Sequence, residues 1–339
     1  MAQQENNATH WVLGGALLLI GLFVFIALVM IRSQAQDITA TINNAAPTIS
    51  GGTAKLCAGT TTGDNASISA CSDLASVTLT AGSTLSVSYF VTVSDTNGID
   101  DVDATATGVY YKSTTTSGCT ADNNNCYRDD ATCAKITPTI SSTSAWFRCD
   151  YALEYYTDET VSAGNWVGYL TVADAATASA SDSTYTNEVA KLVAGTFPTV
   201  AFGSVALGFQ SATGDNQDVT HKNNGDIILD IQAALDNTDT NSAVDCSTGT
   251  IPVGNFTFDT DQDLGDVGYA TATYTLTTTA QDLNIDIAQR TNDTASQGPN
   301  NPVVAGDDQM YSYWNISVPS TGVLGSCTEA LNVTFKEAP

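Results

Sequence analysis

The sequence predicts an all-β protein of two tandem antiparallel β-sandwiches behind one N-terminal hydrophobic helix, and three observations carry that prediction. Thr, Ser, Asn, Asp, Ala and Gly dominate while Lys and Glu are scarce. That composition disfavours long surface helices and suits short strands joined by turns. Apolar and polar residues alternate with period two in several segments, as half-buried strands require. The 339 residues exceed one ordinary sandwich, and about 100 to 200 residues per domain implies two cores.

The first element is the helix. Residues 1–10 form a polar head, and Trp11 to Ile31 are 21 residues without a charge, rich in Leu, Ile, Val and Phe. At 1.5 Å per residue they span about 30 Å, the thickness of a bilayer's hydrocarbon core. Trp11 and Arg32 flank the span as interfacial anchors do. The head carries Glu5 and no Lys or Arg, so flanking charge hardly orients the span; the cysteines and acidity of the larger segment place that segment outside. Ser33-Gln34-Ala35 offers a signal-peptidase-like site, but the basic n-region is missing and the apolar stretch is long, which favours an uncleaved anchor. Gly14, Ala16 and Gly21 form no strict GxxxG pattern. Residues 32–50 read as an extended stalk, with Pro47 holding Ala46 extended.

The first sandwich is expected over 51–190. Strands are predicted at Leu74–Thr80, Thr84–Ser94, Val102–Tyr111, Ala145–Tyr156 and Asn165–Ala173. In the second of these, Leu85, Val87, Tyr89, Val91 and Val93 alternate with Ser88, Phe90 and Thr92, so one face makes core. The segment 175–195 is small, polar and poor in aromatics and reads as the boundary. The second sandwich, 196–339, contains FGSVALG, DVTHKNNGDIILDIQAAL, YATATYTLTTT, YWNISVP and LNVTF. Its Asn224-Gly225 pair between apolar runs is a hairpin signal.

The turn SDTNGIDDVDATATGVYY and the segments WFRCDYALEYY and WVGYLTVAD resemble the immunoglobulin-like modules repeated in prokaryotic surface proteins, over roughly residues 75 to 185. The resemblance implies an immunoglobulin-like sandwich and surface display. Trp146 and Cys149 depart in order and spacing from the core Trp and disulfide of antibody domains. FGSVALG, VTHKNNGDI and YWNISVPSTG resemble a second sandwich family found toward the C-termini of such proteins. A hydrophobic N-terminal helix followed by β-sandwiches also resembles archaeal type IV pilin-like subunits, although no basic-Gly junction precedes this helix.

Eight cysteines, Cys57, Cys71, Cys119, Cys126, Cys133, Cys149, Cys246 and Cys327, read as disulfides in an oxidising space. The even spacing of Cys119, Cys126 and Cys133 suggests zinc as a rival, but CxxC pairs and accompanying His are missing. Pairing within each domain favours Cys246 with Cys327 and then Cys57 with Cys71. The other four allow three connectivities, of which proximity weakly favours Cys119 with Cys126 and Cys133 with Cys149. N-x-S/T triplets make Asn65, Asn255, Asn292, Asn315 and Asn332 candidate glycosylation sites.

A net charge of −26 would repel phosphate backbones, so nucleic acid is not an expected partner. Two acidic clusters are candidate calcium sites, because calcium takes six to eight oxygen ligands. They are Asp95, Asn97, Asp100, Asp101 and Asp103, and Asp259, Asp261 and Asp263. The second starts like an EF-hand loop, but Gly265 and Ala270 break the pattern. Plain solvated turns are the competing reading for both. His221 is the only histidine beyond the helix, and no GxSxG, HExxH or phosphate loop is present, so no catalytic residue or cofactor other than calcium is expected. Tyr110, Tyr111, Trp146, Phe147, Tyr155, Tyr156 and Trp166 could make a glycan platform, with core packing the competing role. The expectation is a non-enzymatic cell-surface structural protein, single-pass or filament-forming. Its residues 11–31 would meet a membrane or like helices of other copies, and it would act by assembly or adhesion. A monomeric glycan- or cell-binding adhesin and, further off, a surface hydrolase are the alternatives.

Overall fold

In the computed structural model the described residues are 44–59, 65–160, 164–212, 214–236, 242–260, 268–290 and 308–339. The expected span Trp11–Ile31, its head and most of the stalk lie outside them. Among the described residues no helix is long and apolar enough to cross a membrane.

The described chain is nearly all β. Residues up to 189 supply β1 (Thr48–Ala58), the short helix α1 (Asn65–Ala70), β2 (Ser76–Val77), β3 (Leu85–Ser94), β4 (Thr105–Lys112), β5 (Cys126–Lys135), β6 (Ser144–Leu153), β7 (Trp166–Ala173) and β8 (Ser179–Val189). They form one eight-stranded sheet in the order β1-β3-β6-β5-β4-β7-β8-β2, antiparallel except where β2 meets β8. The sheet curls back on itself, because Asp73 Oδ1 accepts from Leu56 N of β1 (2.8 Å) and from the Tyr185 hydroxyl of β8 (2.7 Å). Inside lies a sandwich-like core of Val87, Tyr89, Val91, Val93, Phe147, Trp166 and Leu170. Tyr110, Phe147, Tyr155, Tyr156 and Trp166 are buried, which answers the glycan-platform reading for these five: their rings belong to the interior.

Strand β3 keeps the expected alternation, but its outer face is not simply solvated. Phe90 packs with Cys57, Ile68 of α1 and Ile136 in a small separate cluster, so the helix covers what period two alone assigns to water. Strand β4 begins at Thr105 rather than Val102, since Ile99–Asp101 form a 3-10 turn and Val102 makes an isolated bridge to Asp174. The Leu74–Thr80 prediction shrinks to β2. One reading of a polar segment is corrected: Thr48–Ser50, assigned to the stalk, start β1. The polar segment 175–195 holds the eleven residues of β8, which end at Val189 before the next strand begins at Gly195. Strands β1 and β8 are rich in Ser, Thr and Gly or Ala. Their pairing along β3 and β7, not their own hydrophobicity, holds them extended.

Residues from 195 supply β9 (Gly195–Thr196), β10 (Gln217–Asn223), β11 (Leu229–Leu235), β12 (Ala243–Thr248), β13 (Thr250–Pro252), β14 (Phe256–Asp259), β15 (Tyr274–Thr275), β16 (Gln281–Ile287), β17 (Gln309–Ile316), β18 (Leu324–Thr328) and β19 (Leu331–Glu337). Three sheets result, β15-β14-β17-β10-β9, β16-β11-β19 and β13-β12-β18. They enclose a core that includes Leu229, Ile231, Phe258, Leu283, Ile285 and Trp314.

The Asn224-Gly225 hairpin is corrected. β10 pairs with β17 and β9, whereas β11 pairs with β16 and β19, so the turn carries the chain from one sheet to another. Buried Asn223 makes that crossover possible. Its Nδ2 donates to the carbonyls of Ile227 (2.6 Å), Ile287 (3.1 Å) and Ala288 (3.2 Å), and its Oδ1 accepts from Gly225 N (2.9 Å). One side chain therefore serves four backbone groups at the crossover, its two N–H hydrogens being shared among three carbonyls. A Cβ on Gly225 would collide with the Leu192 carbonyl, which explains the glycine there.

Candidate metal centre

All eight cysteines are paired, as Cys57–Cys71, Cys119–Cys126, Cys133–Cys149 and Cys246–Cys327. The zinc reading of the seven-residue spacing therefore fails, because every thiol it needs is spent in a disulfide.

The first acidic segment becomes a compact site of different membership. After β3 the chain turns at Asp95, whose Oδ1 accepts from Asn97 N (2.7 Å) two residues on, the local bond that favours Asp in turns. Gly98 follows at φ 126°, a conformation suited to glycine. Buried Ile99 and Val102 then pin the turn against the core. Lys135 Nζ, from β5, donates to the carbonyls of Ile99 and Val102, both at 2.9 Å. From the far side the end of β7 arrives. Asp103 N donates to Ala173 O and Ala175 N to Asp101 O, each at 2.9 Å. Asp174 Oδ1 caps its own turn by accepting from Ala176 N (3.0 Å) and Ala178 N (2.8 Å).

These contacts bring carboxylate oxygens of Asp95, Asp101 and Asp174 within 4.8 Å of one another. Asp95 and Asp174 are each 1 % exposed. Asp95 Oδ2 is buried and accepts no hydrogen bond, an arrangement that costs free energy unless something positive reaches it. Of the expected ligands, Asp95 and Asp101 are thus joined. Asp100 and Asp103 stay exposed outside the cluster, and the Asn97 side chain is used elsewhere, its Oδ1 accepting from Ala45 N (2.8 Å). Asp174 is the member that sequence reading missed. It stands in an Ala-rich stretch with no acidic neighbour to mark it, and only the strand pairing delivers it.

Asp259 does not present an open ligand set. It is buried, with Oδ1 accepting from Thr260 N (2.7 Å) and Oδ2 from Thr273 N (3.1 Å) and Thr273 Oγ1 (2.6 Å), so it closes a turn. Asp261 and Asp263 lie outside the described residues.

His221 is fully buried beside the Phe197 ring, with Nε2 2.6 Å from Ser312 Oγ and no partner at Nδ1. Burial lowers its pKa to about 4. Ser312 Oγ also accepts from Trp314 Nε1 (2.7 Å). This Ser–His pair is enclosed and lacks the acid that would orient the imidazole, so the geometry of a catalytic triad is not met there.

The glycosylation candidates separate by burial. Asn315 is corrected. It is fully buried with both amide atoms enclosed, which leaves no room for a glycan in the folded chain. Asn332 is exposed, Asn255 is half-buried with Nδ2 donating to Ser317 O (2.6 Å), Asn65 opens α1, and Asn292 lies outside the described residues. Compared with known proteins, the chain matches no family model and no curated protein.

Proposed function

We infer that this chain is a non-enzymatic structural protein of a cell surface, held by the apolar segment Trp11–Ile31 and acting by assembly or adhesion through two tandem immunoglobulin-like β-sandwiches. The observation that carries the reading is the complete pairing of all eight cysteines in a chain without a free thiol, since such pairing persists in oxidising, extracellular spaces. The strongly acidic composition, −26 at neutral pH, is compatible with a solvated display domain that stays soluble beside other copies. The resemblance of 75–185 to surface-protein modules adds support for display and none for an activity.

Negative-stain microscopy of the native cell surface, with an antibody against residues 196–339 as the label, tests this. Regular labelled filaments or a lattice are the expected result. Label scattered singly over intact cells would favour a monomeric adhesin, and label reachable only after lysis would overturn the surface reading.

A further inference from the structure

We propose that Asp95, Asp101 and Asp174 hold one hard divalent cation of the calcium type, which clamps the turn after β3 to the turn after β7. This goes beyond the surface-display reading and does not depend on it.

Three independent features converge. The carboxylate oxygens lie within 4.8 Å of one another. Calcium binds oxygen at about 2.3 to 2.6 Å, so two ligands of one ion stand at most about 5 Å apart; the spacing fits a shared ion without rearrangement. Next, Asp95, a member of the cluster, is 1 % exposed and its Oδ2 is buried without a donor. A buried carboxylate oxygen with no hydrogen bond, set among two further carboxylates, needs compensation by positive charge. Finally, Lys135, whose ammonium is bonded to this turn, is occupied by the carbonyls of Ile99 and Val102 at 2.9 Å. It braces the turn from behind.

The donor set selects the ion. Three carboxylates and no imidazole or thiolate suit a hard cation and not zinc or copper. Calcium accepts irregular shells of six to eight oxygens, completed by bidentate carboxylates, backbone carbonyls and water. Magnesium demands a near-octahedral shell at about 2.0 to 2.1 Å and keeps several of its waters, so a cluster of carboxylates held by two turns suits it less. Asp174 and Asp95 already have their carboxylates fixed by turn hydrogen bonds, so the site is preformed on two of its three sides. The third, Asp101, is bonded through its backbone, but its carboxylate makes no hydrogen bond or salt bridge among the described residues and the residue is half-exposed, which leaves the side chain free to close over the ion.

Asp101 is therefore the residue to change. The full chain, stripped with a chelator, is titrated with calcium chloride and separately with magnesium chloride, and both calorimetric stoichiometry and thermal midpoint are read. Wild type is expected to gain about 2 °C or more with calcium and less with magnesium. Asp101→Asn is expected to lose one saturable calcium per chain, or to weaken it roughly tenfold or more, and to lose that part of the thermal gain. In chelator it should melt at or above wild type, because a like charge has been removed. Asp103→Asn, exposed and outside the cluster, should behave as wild type. The proposal is overturned if wild type shows no calcium response, or if Asp101→Asn keeps the wild-type stoichiometry and thermal gain. It also fails if Asp101→Asn lowers the midpoint equally with calcium and with chelator, which would make the carboxylate a plain structural group.

Discussion

Gln289 reaches Asp158 across 131 residues of chain: its Nε2 donates to Asp158 Oδ1 at 2.7 Å and to the Tyr156 carbonyl at 3.0 Å. Asp158 is itself held by Lys112 Nζ (3.3 Å) and Asn124 Nδ2 (2.6 Å), and its carbonyl accepts from the Trp166 indole at 2.8 Å. Arg290 adds a cation–π contact over the Tyr156 ring, 5.2 Å to its centroid. One carboxylate thus links the eight-stranded sheet to the segment leaving β16. Gln289→Ala should cost about 1 to 2 kcal/mol, since it strips two hydrogen bonds, one of them to a charged group. Scanning calorimetry should show a lower midpoint and a broader transition. An unchanged thermogram would mean that the contact contributes nothing to coupling.

Asp226 is 1 % exposed, between the same two regions, with Oδ1 accepting from Leu192 N at 2.7 Å and Oδ2 unpartnered. Burial first, then the negative charge of Glu159 and Asp158, raises its pKa from the ordinary 3.8 to about 7. The folded chain therefore keeps a proton that the unfolded chain releases. The stability this contributes is full below about pH 4, declines as pH rises toward about 7, and is gone above it. Asp226→Asn keeps the acceptor for Leu192 and removes the charge. It should raise the urea midpoint at pH 8 and flatten the dependence between pH 4 and 7; a parallel shift at every pH would show that Asp226 is not the titrating group.

Gly108 of β4 lies against the Cys133–Cys149 disulfide, where an added Cβ would fall on both sulfurs and 2.8 Å from the Tyr151 hydroxyl. The neighbours are covalently tied and cannot swing away. Gly108→Ala should lower stability by about 1 to 3 kcal/mol, whereas Gly52→Ala, with nothing within 4 Å of its Cβ, should stay close to wild type. Equal urea midpoints for the two variants would contradict the packing described here.

The disulfides differ in access. Cys133 and Cys149 are 0 % and 1 % exposed within the core, whereas Cys246 and Cys327 sit half-buried on neighbouring strands β12 and β18. Thiolate attack needs contact with a sulfur, so mild reductant followed by alkylation and peptide mapping should open Cys246–Cys327 well before Cys133–Cys149. Because the former bridge closes a span of 81 residues, its loss should cost about 4 kcal/mol in the chain-entropy model. Reduction of Cys133–Cys149 first would mean that this part of the core opens more readily than its burial implies.

Strands with a private hydrophobic pattern were legible. LSVSYFVTV carries its own alternation, and β3, β6 and β7 stand close to their expected limits. Segments that borrow their conformation from a partner were not. SASDSTYTNEV has too little apolar surface to announce a strand, yet as β8 it lies beside β7 and meets β1 through Tyr185 and Asp73. Asn224-Gly225 carries the local chemistry of a hairpin, but burial of Asn223 sends the next strand to another sheet. The acidic turn after β3 was visible as a cluster, while the choice among its carboxylates was not.

The sequence by itself determined the strand-rich class, the oxidised cysteines and the acidic turn, because composition, cysteine count and nearest-neighbour turn chemistry act over a few residues. Tertiary structure alone decided which strands meet. That pairing turned Ala-rich Asp174 toward Asp95, spent Asp259 on a turn and enclosed Asn315. Such outcomes depend on contacts between residues far apart in the chain, and no local pattern records them.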